Sequence, residues 1–437
     1  MLATQKGGGI TGRGTSFPRV HPIVVLLFDG LGDRAHAVLG GRTANEAAAT
    51  PNLDALAARG SCGVLYAIGP GRAPSSEVAH WAMLGYGEAE FPNRAVLEAL
   101  GAGQALDPDD VVAFAALRPA EKRNGELWLT GRPRCDEDED EARTLVARCD
   151  RIEIDGLRFG LEHLTRGEAI LRVSGGADDR VTDSDAFFRD RHPVLRPQAA
   201  HPDAERTARA AEAWSRQVIE RLAGERYNVI TLKWWGRPRP APIFLERHGV
   251  TGSFVADSRF MHGLARAVGL EPLHAPETDD PAADLRRRLE LIRARLDADD
   301  TFVFSHLKAT DAAGHTKDPA VKQRTIEQLD SELDTLRVLE STAVVCVTGD
   351  HATPAYPEVI HSGDPVPLVV AGPGVRADDV RSFGELDCSH GIFGHVHGSD
   401  LMPLLLNAAD RPLFLGSRPT PFAGADGYPA VLEPLRP

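Results

Sequence analysis

Six aspartate and histidine side chains, gathered in three short stretches, could together hold metal. They are Asp29 in "LLFDGLGD", Asp311 and His315 in "KATDAAGHTKD", and Asp350, His351 and His361 in "VVCVTGDHATPAYPEVIHSGDP". Asp311 and His315 have the i, i+4 spacing that sets both side chains on one side of a turn. Asp350 and His351 adjoin at the end of an apolar run, so their side chains diverge and can reach neighbouring ions. Singly, each has a plain alternative: Asp29 can cap a turn, and a loop histidine such as His361 can simply face water. As a set, mixed carboxylate and imidazole donors suit Mn²⁺ or Zn²⁺. Six are too many for one tetrahedral ion and suit two, which can stabilise the attacking and leaving oxygens of an in-line phosphoryl displacement.

Such a centre needs a nucleophile. "PGRAPSSEVAHWAMLGYG" offers Ser75 and Ser76 just before a helix expected to start at Glu77. A serine there could be activated by a nearby metal while the helix amides assist a phosphate. The alternative is that one of the two only caps the helix.

These residues require a scaffold that delivers them to one place. Pro22–Gly30, Thr301–Leu307 and Thr342–Asp350 are continuous apolar, β-branched runs, the pattern of parallel strands covered on both faces. Leu285, Leu289, Ile292 and Leu296 form one helical stripe, and Ile326, Leu329, Leu333 and Leu336 predict a single helix across Thr325–Leu339. Strands alternating with amphipathic helices predict an α/β fold with a mostly parallel sheet flanked by helices. Ligands of such sheets bind beyond the carboxyl ends of the strands. Two of the three runs end in an Asp, and Asp311 follows the third by four residues.

From about Asp107 to Val250 the texture changes to shorter apolar runs and many charges. We expect residues 107–250 to form an inserted α+β domain, with 20–106 and 251–437 as the core and 1–19 as a disordered leader. The acidic run Asp136–Glu141 suits a helix N-terminus, whose dipole tolerates anions, and a solvated face. His390, His395 and His397 in "SHGIFGHVHG" are expected at the surface or the substrate edge.

The chain has 49 basic and 63 acidic residues and a net charge of -14, which argues against nucleic-acid and anionic-membrane partners. No window approaches the ~20 apolar residues of a membrane helix. Five scattered cysteines form no CxxC pair, as expected of a reducing cytoplasm.

The stretches "FDGLGDR", "TPNLDALAARG", "SSEVAHWAMLGY", "LEALGAG", "DDRVTDSD", "HLKATDAAGH", "TGDHATP" and "HSGDPVPLVVAGPGVR", in this order from about Ile23 to Asn407, resemble the archaeal-type cofactor-independent phosphoglycerate mutases of the alkaline phosphatase superfamily. The resemblance implies an alkaline-phosphatase-like core, an inserted domain that closes over the substrate, and conversion of 3-phosphoglycerate to 2-phosphoglycerate through a phosphoserine at Ser76. It implies two divalent ions, Mn²⁺ first, with Zn²⁺, Co²⁺ or Mg²⁺ as alternatives. Asp311, His315 and His361 would hold one, and Asp29, Ser76, Asp350 and His351 the other. Arg94, Arg180, Asp183, Lys233 and Lys308 are the candidate substrate contacts. The expected partner is a small phosphorylated hydroxy acid, the expected assembly a monomer or small homo-oligomer.

The chain also departs from the family pattern. Glu77 stands where an Asp is usual, "NRA" keeps Arg94 but loses two flanking glycines, "FAALRP" (Phe114–Pro119) replaces an Arg-Cys-Asn segment, and Lys233 or Arg237 stands in for an arginine. Lysine does not reproduce bidentate guanidinium recognition. The alternative expectation is a paralogue that moves a phosphoryl or phosphonyl group to another small hydroxy acid in a specialised pathway, or a phosphatase.

Overall fold

The structure, a computed structural model, describes residues 21–133, 138–186 and 191–413. The expected leader and residues Asp136 and Glu137 lie outside them. The three apolar runs are strands, Ile23–Phe28, Phe302–Leu307 and Val344–Thr348. They lie side by side and parallel at the centre of an eight-stranded sheet. Gly252–Ala256 and Glu271–His274 extend it, parallel, on one side. Val366–Ala371, Ser61–Tyr66 and Gly394–His397 extend it on the other, and only Val366–Ala371 runs against the rest.

Both faces of this sheet are covered, which explains the unbroken apolar runs. Ile23, Val25 and Leu27 enter one core with Trp81, Met261, Leu264 and Leu405. Val24, Leu26 and Phe28 enter the other with Leu53, Leu285, Leu289, Ile292 and Ile326. The helix carrying the latter stripe spans Pro281–Asp297, as expected. The expected helix over Thr325–Leu339 instead breaks: Pro319–Asp330 is helical, Leu333–Thr335 is a 3₁₀ turn, and Leu336–Leu339 resumes. The Ser331 hydroxyl donates to the Gln328 carbonyl, a local bond that competes with helix continuation, and the Asp330 carboxylate accepts the distant Asn52 and Leu53 amides. Ile326, Leu329, Leu333 and Leu336 are buried all the same.

Residues 111–236 contribute a separate five-stranded sheet, entirely antiparallel, in the order Ile152–Ile154, Leu157–Thr165, Glu168–Ser174, Val111–Arg118, Val229–Gly236. Helices Glu139–Arg148 and Glu205–Arg221 supply Leu145, Val146, Trp214 and Val218 to its core. The first turn of Glu139–Arg148 is acidic as the dipole favours. Asp138 is not on a solvated face, however; it is buried against Arg226 and Tyr227. The other face of this sheet meets helix Arg94–Gly101 through Val96, Ala99, Phe114 and Ile170. That helix also packs tightly on Arg259–Ala267, where a Cβ on Gly263 would stand 1.7 Å from the Leu97 carbonyl oxygen. It therefore ties the small sheet to the large one.

Candidate metal centre

Strand register brings the donors together. Phe28 is paired with Leu307, and Leu27 with Thr348, so the three central strands end level with one another. Asp29 follows its strand directly and Asp350 lies two residues beyond Thr348. Asp311 and His315 lie on a short helix, Ala309–His315, that begins just past Leu307. Gly30, at φ +64, lets these segments close up: a Cβ there would stand 2.4 Å from the Thr353 hydroxyl and 2.9 Å from the Asp311 Cα.

The donor atoms form two groups that share a wall. In the first, His351 Nε2 lies 3.2 Å from Asp29 Oδ1 and 3.4 Å from Asp350 Oδ2. In the second, His315 Nε2 and His361 Nε2 lie 3.2 and 3.5 Å from Asp311 Oδ1. Ligand atoms of Asp29, Asp350 and His351 all lie within 4.8 Å of one another, and so do those of Asp311, His351 and His361. Asp29 Oδ1 and Asp350 Oδ2 are buried carboxylate oxygens that both converge on His351 Nε2, at 3.2 and 3.4 Å. One imidazole does not compensate two buried anionic oxygens, so this donor set fits a divalent cation.

Electrostatics within the cluster are strongly uneven. Burial alone would raise the Asp29 carboxyl, yet bonds from His306 and His351 hold it well below the usual carboxylate range. Burial together with the Asp29 charge pushes Asp350 up to about 6. Against burial, the Asp350 and Asp29 charges raise His351 to about 9. Asp311, also buried, is held low by His315 and His361. Proton and metal therefore compete for the same electron-rich pocket.

Ser76 is the first residue of helix Ser76–Met83, one position earlier than expected. Ser75 occupies the cap position but makes no side-chain capping bond; its hydroxyl donates to Glu77 Oε1 at 2.8 Å. Ser76 Oγ instead lies 3.3 Å from His351 Nε2. Neither serine serves as a side-chain cap.

Several supporting residues have no role assigned by the sequence, although His80, His306 and Thr353 lie within the stretches that carry the resemblance. His306 donates Nε2–H to Asp29 Oδ2 at 3.0 Å, and the fully buried His80 sets Nδ1 2.7 Å from the Ser76 carbonyl oxygen. The Thr353 hydroxyl contacts both groups, donating to Asp311 Oδ1 at 2.7 Å and lying 3.2 Å from His351 Nδ1. The Lys322 ammonium, wholly inaccessible to solvent, donates to the carbonyls of Gly30, Gly32 and Thr353 at 2.7–2.9 Å. A histidine inside the apolar run "FVFSHL" was a local signal that could have exposed this layer.

A cleft of about 770 Å³ opens over the centre, lined by Ser76, Asp311 and His361 and, further out, by Arg94, Trp234 and Lys308. The Arg94 guanidinium pairs with Glu77 and Glu98. Lys308 Nζ is 4.0 Å from Asp311 Oδ2. Lys233 lines an adjoining cavity and packs its ammonium 4.3 Å from the Trp234 ring centroid. Arg180 is bonded to Asp178 and Asp203 and does not line the cleft, and Asp183 accepts the Trp234 amide at 2.9 Å. His390, His395 and His397 are exposed.

The sequence model of the Metalloenzyme superfamily matches residues 21–408. Two 2,3-bisphosphoglycerate-independent phosphoglycerate mutases are similar over nearly the whole chain. That of Methanopyrus kandleri is 36% identical, covering 89% of this chain and 96% of its own. Mutase 2 of Methanocaldococcus jannaschii is 31% identical, covering 90% and 95%. Among solved structures, the cofactor-independent phosphoglycerate mutase of Thermoplasma acidophilum superposes with a TM-score of 0.62 at 26% identity, covering 89% of this chain and 100% of that one. The PH0037 protein of Pyrococcus horikoshii superposes with a TM-score of 0.74 at 28% identity, covering 91% and 99%.

Proposed function

The chain belongs to the Metalloenzyme superfamily and, within it, to the 2,3-bisphosphoglycerate-independent phosphoglycerate mutases, and from that premise we propose that it interconverts 3-phosphoglycerate and 2-phosphoglycerate through a phosphoserine at Ser76. The observation that carries this reading is the position of Ser76 Oγ, 3.3 Å from His351 Nε2 at the first turn of a helix. The hydroxyl thus faces the wall shared by the two donor groups.

Asp311, His315 and His361 would hold one divalent ion, and Asp29, Asp350, His351 and Ser76 a second, with Mn²⁺ the expected metal. Ions so held supply Lewis acidity and a template for in-line displacement. The Ser76 and Glu77 amides at the start of helix Ser76–Met83, ahead of the Val78 amide that bonds the Ser75 carbonyl, would offer their N–H groups to an incoming phosphate. Ser76 Oγ and His351 Nε2, 3.3 Å apart, are close enough for one ion to take both, and His80 and Thr353 hold the segments that present Ser76 and His351. The phosphorus–oxygen bond to the glycerate breaks as the bond to Ser76 Oγ forms, and a proton passes to the freed glycerate hydroxyl. In the reverse half the other hydroxyl takes the phosphoryl group as the bond from phosphorus to Ser76 Oγ breaks, and its proton ends on the freed Ser76 oxygen. Lys308, which lines the cleft, would be the cation that meets the substrate carboxylate. Residues 107–250 would act as a domain closing over the cleft. The buried free thiols of Cys62, Cys149, Cys346 and Cys388 are in keeping with a reducing cytoplasm.

One observation favours a second reading, a paralogue with a changed acceptor. Glu77 and Glu98 already engage Arg94, the cation best placed to clamp a substrate on the side facing the small sheet. An enolase-coupled assay with 3-phosphoglycerate and Mn²⁺ separates the two. The mutase reading expects turnover that Ser76→Ala abolishes. Absence of turnover alongside Ser76 phosphorylation by another phosphate or phosphonate donor replaces it with the second.

A further inference from the structure

Trp234 adopts a backbone conformation that its residue type disfavours. Its φ is +59, in the left-handed region where a bulky side chain is an outlier. The pairing of Val111–Arg118 with Val229–Gly236 explains how this arises. Val112 is opposite Gly236 and Phe114 opposite Lys233, so Trp234 and Trp235 together face Ala113 in a β-bulge. Bulges re-aim side chains and gather beside active sites. Here Trp235 turns into the core, 2% exposed, while Trp234 turns outward. Asp183 Oδ1 fixes the bulge by accepting the Trp234 amide at 2.9 Å.

The indole lies at a boundary. Among the described residues, only Trp234 and Arg94 line both the cleft of about 770 Å³ over Ser76 and the adjoining cavity of about 310 Å³. The Arg94 Cζ is 4.3 Å from the Trp234 ring centroid and 4.2 Å from that of Phe260, so the guanidinium is held between two rings. Behind the indole, Lys233 Nζ packs on Trp234 and Phe114, and no carboxylate pairs with it among the described residues. Arg118 and Arg132 line the same cavity. Arg118 is paired with Asp185, and Glu98 and Glu168 also line the cavity, so the ammonium of Lys233 is a cation left there to receive an anion, and it lies on the far side of the indole from Ser76.

We propose that Trp234 is a specificity-determining residue, a wall at the acceptor end of the cleft that limits the length of the phosphorylated hydroxy acid and keeps its far carboxylate from Lys233. Without the wall, a longer acid with its phosphate at Ser76 reaches that ammonium. This rests on the proposed function in taking phosphorylated hydroxy acids as ligands and Ser76 as the phosphoryl acceptor.

The test is calorimetric binding to the Mn²⁺-loaded enzyme in a Ser76→Ala background, which prevents turnover. The probes are 3-phosphoglycerate and its one-carbon-longer homologue 4-phosphoerythronate. Glycine accepts a positive φ without penalty, so Trp234→Gly is compatible with the bulge. It should shift the ratio of the two dissociation constants at least tenfold towards the longer acid. Adding Lys233→Met should cancel that shift, and Trp234→Phe, which keeps a ring in place, should shift the ratio less than threefold. A shift below twofold in Trp234→Gly, or a gain that survives Lys233→Met, overturns the proposal. Failure of the mutase reading would register separately, as absence of 3-phosphoglycerate turnover by the unsubstituted enzyme.

Discussion

The imidazole rings of His351 and His361 lie face to face, 3.8 Å between centroids and 23° from parallel. Each ring presents its Nε2 to a different aspartate, His351 to Asp29 and His361 to Asp311. The two donor groups are thus in contact. His351 belongs to both groups, whereas His361 belongs to one.

Metal content should reflect that asymmetry. The unsubstituted enzyme, saturated with Mn²⁺ and desalted, should retain about two equivalents, as a two-metal site requires. His361→Ala should retain about half that amount, and His351→Ala less than His361→Ala. Elemental analysis checks this; equal retention in the two variants would contradict the shared position of His351.

Lys322 fastens the Asp29 loop to the His351–Thr353 loop. Lys322→Met leaves the buried Gly30 and Thr353 carbonyl oxygens without their donor, while the Gly32 carbonyl keeps the Thr353 amide. At about 1–3 kcal/mol for each buried polar group left unsatisfied, the variant should lose about 2 kcal/mol or more of stability in urea unfolding. Its Mn²⁺ affinity should fall at least tenfold, because both loops carry donors. A loss of stability with unchanged metal affinity would make Lys322 a scaffold residue only.

Glu385 supplies a pH dependence away from the metal donors. Burial, acting against the Thr43 hydrogen bond, pushes its carboxyl up to about 7 from an ordinary value of 4.5. Between those values the folded protein binds more protons than the unfolded chain, so this group lowers stability as pH rises from about 4.5 to 7. At about 1.4 kcal/mol per pKa unit the change is on the order of 3 kcal/mol. Glu385→Gln should remove that slope, giving a stability advantage over the unsubstituted enzyme that grows across the interval. Parallel unfolding curves at the two pH values would contradict it.

The parts of the site legible in the sequence are those where one physical requirement governs a short stretch. Ile23–Phe28, Phe302–Leu307 and Val344–Thr348 read as buried strands because both faces are covered, and their register then delivers Asp29 and Asp350 to one edge. Val366–Ala371 is equally apolar, but nothing in its composition tells that it runs antiparallel. Next to the helix break at Ser331, Asp330 bonds the Asn52 and Leu53 amides, some 280 positions away in sequence and invisible to periodicity. His306, Lys322 and Thr353 escaped for a similar reason: each acts through a partner on another segment. The positive φ of Trp234 follows from a bulge whose register only the paired strand defines.

The central claim is that the phosphoryl group rests on Ser76 Oγ, beside His351. Its most direct test is tandem mass spectrometry of Mn²⁺-loaded enzyme quenched during turnover of 3-phosphoglycerate. The account predicts a single phosphorylated site at Ser76, absent when the metal is chelated and absent in Ser76→Ala. Turnover that proceeds with Ser76 unmodified, or with the phosphate on another residue, would contradict it.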